Sequence, residues 1–182
     1  MICCVSTSSP LVSAAVFNGE GLVSEASVYA PRNASGQLIK LLEQLEVDLD
    51  RVETFVADIG PGSFSGTRVG VMMAKTWAWT TGAKIGGILS FDLMAADGVA
   101  SVPFKKDRWL VRTSSGDIVE SDSLEGCGYT SLDPDGGTFP KAANLTQVFD
   151  RIKWATAVDL VPEYVLLPSI SRPKKVSGGL KP

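Results

Sequence analysis

Asp58-Ile59-Gly60-Pro61-Gly62-Ser63-Phe64-Ser65-Gly66-Thr67-Arg68-Val69-Gly70 joins two apolar stretches, a short run from about Thr54 to Ala57 and a longer one from Val69 to Trp79. Glycines supply backbone angles that other residues avoid and Pro61 fixes one φ, so the stretch reads as a shaped strand-to-helix turn. Ser63, Ser65 or Thr67 can cap the helix, and Gly82, after Thr80-Thr81, stands where a C-terminal glycine belongs. At about 100° per residue, Val69, Met73 and Trp77 fall on one side of that helix. Ala74, Ala78 and Val71 fall on another, Met72 and Trp79 on a third. Only a narrow stripe with Arg68 and Lys75 is polar. Such a helix wants more than one partner.

Outward from this turn, the chain begins with three short apolar runs, Ile2–Ser6, Leu11–Phe17 and Leu22–Tyr29, the last two joined by the turn Asn18-Gly19-Glu20-Gly21. They predict a three-stranded antiparallel start. Residues Ser35 to Glu46 predict a helix with Leu38, Leu41, Leu42 and Leu45 on one face and Ile39 off it. Ala83 to Ile88 predicts a further strand and Phe91 to Ala96 a short helix. Strands alternating with helices point to a mixed sheet in an α/β lobe, residues 1–100. Residues 101–107 read as a linker, and 108–170 as a short second α/β lobe with strands at Trp109–Val111, Asp117–Glu120 and Tyr129–Ser131. Leu145 to Trp154 predicts a helix and residues 171–182 an extended tail.

The sequence has 182 residues, net charge −3 and a pI near 5.0. That balance argues against a broad surface for tracking phosphates. No apolar run reaches the roughly 20 residues of a membrane span, and the start, Met1-Ile2-Cys3-Cys4-Val5, lacks the basic residues of a secretory signal. Cys3 and Cys4 would point to opposite faces of a strand, which suits reduced, buried thiols. A cytoplasmic location without membrane contact is expected.

Histidine is absent. Serine-protease, papain-like and zincin chemistry therefore lacks its base or ligand in this chain, and neither a catalytic residue nor a metal site is expected. The glycine loop is the one candidate ligand cradle, with Gly60, Gly62, Ser63, Ser65 and Gly66 able to meet a phosphate at a helix N-terminus. It lacks the Gly-Lys-Ser/Thr ending of a P-loop and the spacing of a dinucleotide fingerprint. Close packing of loop and helix is the alternative. Asp58 could act as a base, but a carboxylate at a strand end is more commonly solvated or a turn acceptor.

Residues Gly60 to Gly70, then Ala74-Lys75 and Leu89-Ser90, with Val5-Ser6-Thr7-Ser8-Ser9-Pro10 at the start, resemble the TsaB (YeaZ) family over residues 1 to about 97. The resemblance implies an actin-like ATPase (ribonuclease H-like) lobe and a non-catalytic scaffold or activator of a TsaD-like enzyme that makes threonylcarbamoyl-adenosine on tRNA. A TsaE-like ATPase is a further implied partner, tRNA would be met only through the complex, and no cofactor is expected. Where many family members keep Asp-Thr-Ser on the first strand, this chain has Ser6-Thr7-Ser8, which removes a charge that could hold magnesium. The competing expectation is a nucleotide-binding kinase or ATPase of the actin-like superfamily, using ATP and magnesium. In the family the two helices of the first lobe pack on an equivalent pair of a partner. Here that implies an interface of Leu38, Ile39, Leu42, Arg68, Val71, Met72, Lys75 and Trp79, with a homodimer when the chain is alone.

Overall fold

The first strand lies at the middle of the architecture. The computed structural model describes residues 1–130, 133 and 135–165. In it β1 (Ile2–Ser6) pairs antiparallel with β2 (Leu11–Asn18), which pairs antiparallel with β3 (Gly21–Tyr29). On its other side β1 runs parallel to β4 (Thr54–Asp58), and β4 parallel to β5 (Lys84–Ile88). The predicted antiparallel start and mixed sheet are both present. Alternation along β1 sends Cys3 into the core beneath the two long helices and Cys4 into the core on the opposite face. Burial pushes the Cys3 thiol up to about 12 and raises Cys4 well above the usual thiol range, so both are inert.

Helix α1 (Ala34–Gln44) and helix α2 (Phe64–Thr81) cover one face. Ser63 caps α2, its Oγ accepting from the Gly66 N–H, and Gly82 ends it in the left-handed region. Five extra residues at the start of α2 relative to the apolar run follow from that cap. The sheet's other face is covered by α3 (Ser90–Met94) and by 3-10 turns at Ala142–Gln147 and Phe149–Arg151.

A second sheet, in the order β8-β7-β6-β9, packs beside the first around Phe91, Val102, Leu110 and Tyr129. Its strands are β6 (Ala100–Lys105), β7 (Arg108–Arg112), β8 (Ile118–Ser121) and β9 (Cys127–Gly128). Residues 101–107 are thus not a linker. They form most of β6 and its turn, because Val102 alternates inward and Pro103 stands at a register irregularity where a missing N–H is tolerated. The expected strand at Tyr129–Ser131 shrinks to β9 and one bridge from Tyr129 to Gly137, and Ser131 lies outside the described residues. The expected helix from Leu145 to Trp154 is also absent. Ala142, Leu145 and Val148 recur every third residue, which lines one edge of a 3-10 turn, and all three are fully buried. The chain then enters β10 (Lys153–Ala155), which pairs antiparallel with β5 of the first sheet. The described part of residues 108–170 therefore does not form a separate lobe, since β10 completes the first sheet. The tail at 171–182 lies outside the described residues.

Candidate functional site

Two regions of the molecule could carry function, and both are set by the turn into α2. At its inner end, Ser6 at the end of β1, Ser8 in the bend after it and Asp58 at the end of β4 converge on one point, with Ser90 arriving from the start of α3. Asp58 is completely enclosed. Its Oδ2 accepts from Ser6 Oγ at 2.6 Å and Ser8 Oγ at 2.5 Å, and its Oδ1 accepts from Ser90 Oγ at 2.6 Å and the Gly60 N–H at 2.9 Å. Burial raises the Asp58 pKa above the usual carboxylate value, and these four hydrogen bonds pull against it. Asp58 is indeed a turn acceptor, through Gly60, but it is not solvated. Strand alternation does not place Ser8, since β1 ends at Ser6 and the bend after it turns Ser8 to the same carboxylate. Ser90, some thirty residues on, carried no signal of its own.

The glycines bring the loop against the end of β1. A Cβ on Gly62 would meet the Ser8 carbonyl oxygen, and one on Gly66 the Thr7 carbonyl oxygen. Thr7 Oγ1 donates to the Gly66 carbonyl at 2.8 Å and accepts from the Gly70 N–H at 3.1 Å. The N–H groups of Gly60, Ser63, Gly66 and Thr67 are all engaged within the chain, by Asp58, the Ser8 carbonyl, Ser63 Oγ and the Ser63 carbonyl. Among the candidate phosphate-binding residues, Gly60 and Gly66 are buried, Gly62 is half-buried, and Ser63 and Ser65 are exposed. Ser63, Ser65, Gly62 and Gly66 line a cleft of about 1320 Å³ between the two sheets, whose other wall includes Arg32, Phe104, Lys105, Lys106 and Tyr129. Among the described residues no cluster of three or more His, Cys, Asp or Glu side chains forms a metal site.

Comparison with known proteins bears on this arrangement. A family model described as TsaD, tRNA N6-adenosine threonylcarbamoyltransferase, matches residues 28–106. The tRNA threonylcarbamoyladenosine biosynthesis protein TsaB of Bacillus subtilis (strain 168) is 30% identical over 101 residues, covering 53% of this chain and 44% of that protein. Over these residues the chain is similar to the TsaB (YeaZ) family. The matched part spans less than half the length of that curated relative. The fold agrees over a longer stretch. YeaZ from Pseudomonas aeruginosa superposes with a TM-score of 0.66 at 15% identity, covering 90% of this chain and 99% of that one. A second solved structure, described as an uncharacterized protein with similarity to peptidase YeaZ from Pseudomonas aeruginosa, gives 0.68 at 14% identity, covering 91% and 99%. These likenesses establish the α/β, actin-like (ribonuclease H-like) fold.

The second region is the outer side of α2, where the TsaB resemblance placed an interface. Trp79 is 72% exposed and Met72 58%, and Ile39 on α1 is also exposed. Arg68 is exposed and stacks over the Phe64 ring at 5.2 Å. Lys75 is half-buried, its Nζ donating to the carbonyls of Val158 and Leu160. Three of the expected interface residues face the other way. Leu38, Leu42 and Val71 are buried in the chain's own core, because α1 and α2 must first cover their own sheet. Phe64, exposed one turn before Arg68, was missed, although the four-residue spacing puts the two on one face.

Proposed function

We propose that this chain is a non-catalytic partner in threonylcarbamoyl-adenosine modification of tRNA, holding a TsaD-like enzyme in its active arrangement. One observation carries this reading: α2 leaves Phe64, Met72 and Trp79 in solvent beside Arg68, a large apolar stripe for a single chain to expose. The enclosed Asp58 cluster supports it from the other side, since a carboxylate fully bonded inside the protein offers no reach to a substrate. The partner would cover the stripe, and self-pairing about a two-fold axis would cover it when the partner is absent. A TsaE-like ATPase is proposed as a further member of the assembly, with tRNA met through the complex in the cytoplasm. No cofactor is assigned to this chain.

Reconstitution tests this directly. Modification of tRNA by the TsaD-like protein of the same organism should depend on adding this chain, which alone should hydrolyse neither ATP nor peptide. Sustained metal-dependent ATP turnover by the chain alone would favour the nucleotide-dependent enzyme, acting in the cleft that carries Lys105 and Lys106.

A further inference from the structure

The segment after β10, Thr156 to Tyr164, is fastened along α2 at several points. Leu160 is buried against Gly87 and the core beneath α2. Lys75 Nζ holds the carbonyls of Val158 at 3.0 Å and Leu160 at 2.9 Å. The Glu163 N–H donates to the Ile59 carbonyl at 2.7 Å, and the Tyr164 ring lies 5.4 Å from that of Phe64. From Lys75 back to Phe64 the helix covers about 16 Å, and extended chain from 158 to 164 covers about 20 Å. The segment therefore runs as a strap beside α2, opposite in direction.

Its position adds a wall to the exposed stripe. At about 100° per residue, Phe64, Lys75, Arg68, Trp79 and Met72 share an arc of roughly 80°, with Phe64 and Lys75 at the edge nearest the strap. Helix α1 packs over β2 and β3, whereas the strap lies at β5, so the stripe sits between them. The strap turns Val158 and Val161 outward, 69% and 62% exposed. Lys75 keeps its charge but turns its ammonium to the strap's carbonyls. Arg68 forms no ion pair among the described residues and keeps only its ring contact.

We propose that the strap and α2 form one docking surface, occupied by an apolar helix face of the partner that carries a carboxylate opposite Arg68. This rests on the docking role given to α2 above, and extends it to a segment far away in sequence. The occupant follows from charge: apolar side chains on two flanks lie beside Arg68, an exposed cation with no counter-charge among the described residues, which a carboxylate would complement.

The test measures the affinity of the full chain for the TsaD-like protein of the same organism, by calorimetry, with thermal unfolding confirming that each variant is folded. The Val158→Glu/Val161→Glu double variant should weaken the complex on the order of 100-fold, as Met72→Glu should, because each buries unpaired carboxylates. Arg68→Glu should weaken it more than Arg68→Gln, and Arg68→Gln should flatten the salt dependence of the wild-type complex. Loss with Met72→Glu but full affinity in the strap variant would overturn the strap's role and leave the α2 interface standing. Strap variants that break only self-association would assign this wall to a second copy and overturn the proposal. No complex with the wild-type chain would overturn both.

Discussion

The inner and outer ends of the same strand-turn-helix unit have opposite characters. At the inner end the polar groups answer one another: Asp58 takes four donors, Thr7 both gives and accepts, and the N–H groups of Gly60, Ser63, Gly66 and Thr67 are paired. At the outer end α2 leaves large apolar side chains in water and Arg68 without a counter-charge among the described residues. A buried polar group left unpaired costs free energy, while an exposed apolar one costs little until a partner removes it from water. On the proposed reading the first region is structural and the second meets the partner.

That contrast can be broken most forcefully at the outer end. Met72→Glu should leave the melting temperature nearly unchanged yet lose the complex with the TsaD-like partner, because burying an unpaired carboxylate costs several kcal/mol against the about 8 kcal/mol of a micromolar complex. Pull-down and tRNA modification assays would report it. At the inner end the effects should reverse. Asp58→Ala removes the common acceptor of three serine hydroxyls and should cost about 3–5 kcal/mol of stability, read from denaturant unfolding. A smaller loss, about 1–3 kcal/mol, is expected for Gly66→Ala, whose new Cβ meets the Thr7 carbonyl.

The Asp58 carboxyl also sharpens the comparison through pH. Its pKa is raised in the folded state, above the ordinary value of 3.8, chiefly by burial. The folded chain therefore holds its proton longer than the unfolded one. The stability from this group is fully present below the unfolded value and declines as pH rises through the folded one. Comparing wild type with Asp58→Asn from acid to neutral pH should show the stability gap narrowing upward, and a gap that widens would contradict the enclosed carboxylate. The smallest effect belongs to Ser63→Ala, about 1 kcal/mol of capping energy, with partner binding intact.

The local rules of the chain were legible in its residues. Alternation set the first three strands, the Asn-Gly turn joined two of them, and the glycine loop with its cap located the start of α2, because these depend on neighbours within a few positions. The candidate site was only half legible. Helical spacing separated the Met72 and Trp79 side of α2 from the Val71 side, but it could not say that Val71, Leu38 and Leu42 would meet in one core. The linker at 101–107, the helix at 145–154 and the separate second lobe were misread for a related reason. The return of β10 to β5 is a long-range contact with no local pattern, and β6 and β7 form a hairpin across Lys106-Asp107, a turn without the Asn-Gly or Asp-Gly signal. Sequence by itself determined the strand-turn-helix unit and its unusual apolar helix. Tertiary structure alone decided which of its polar groups were enclosed, which apolar ones stayed outside, and that a strap from Thr156 to Tyr164 would lie beside them, because burial depends on what the rest of the chain covers.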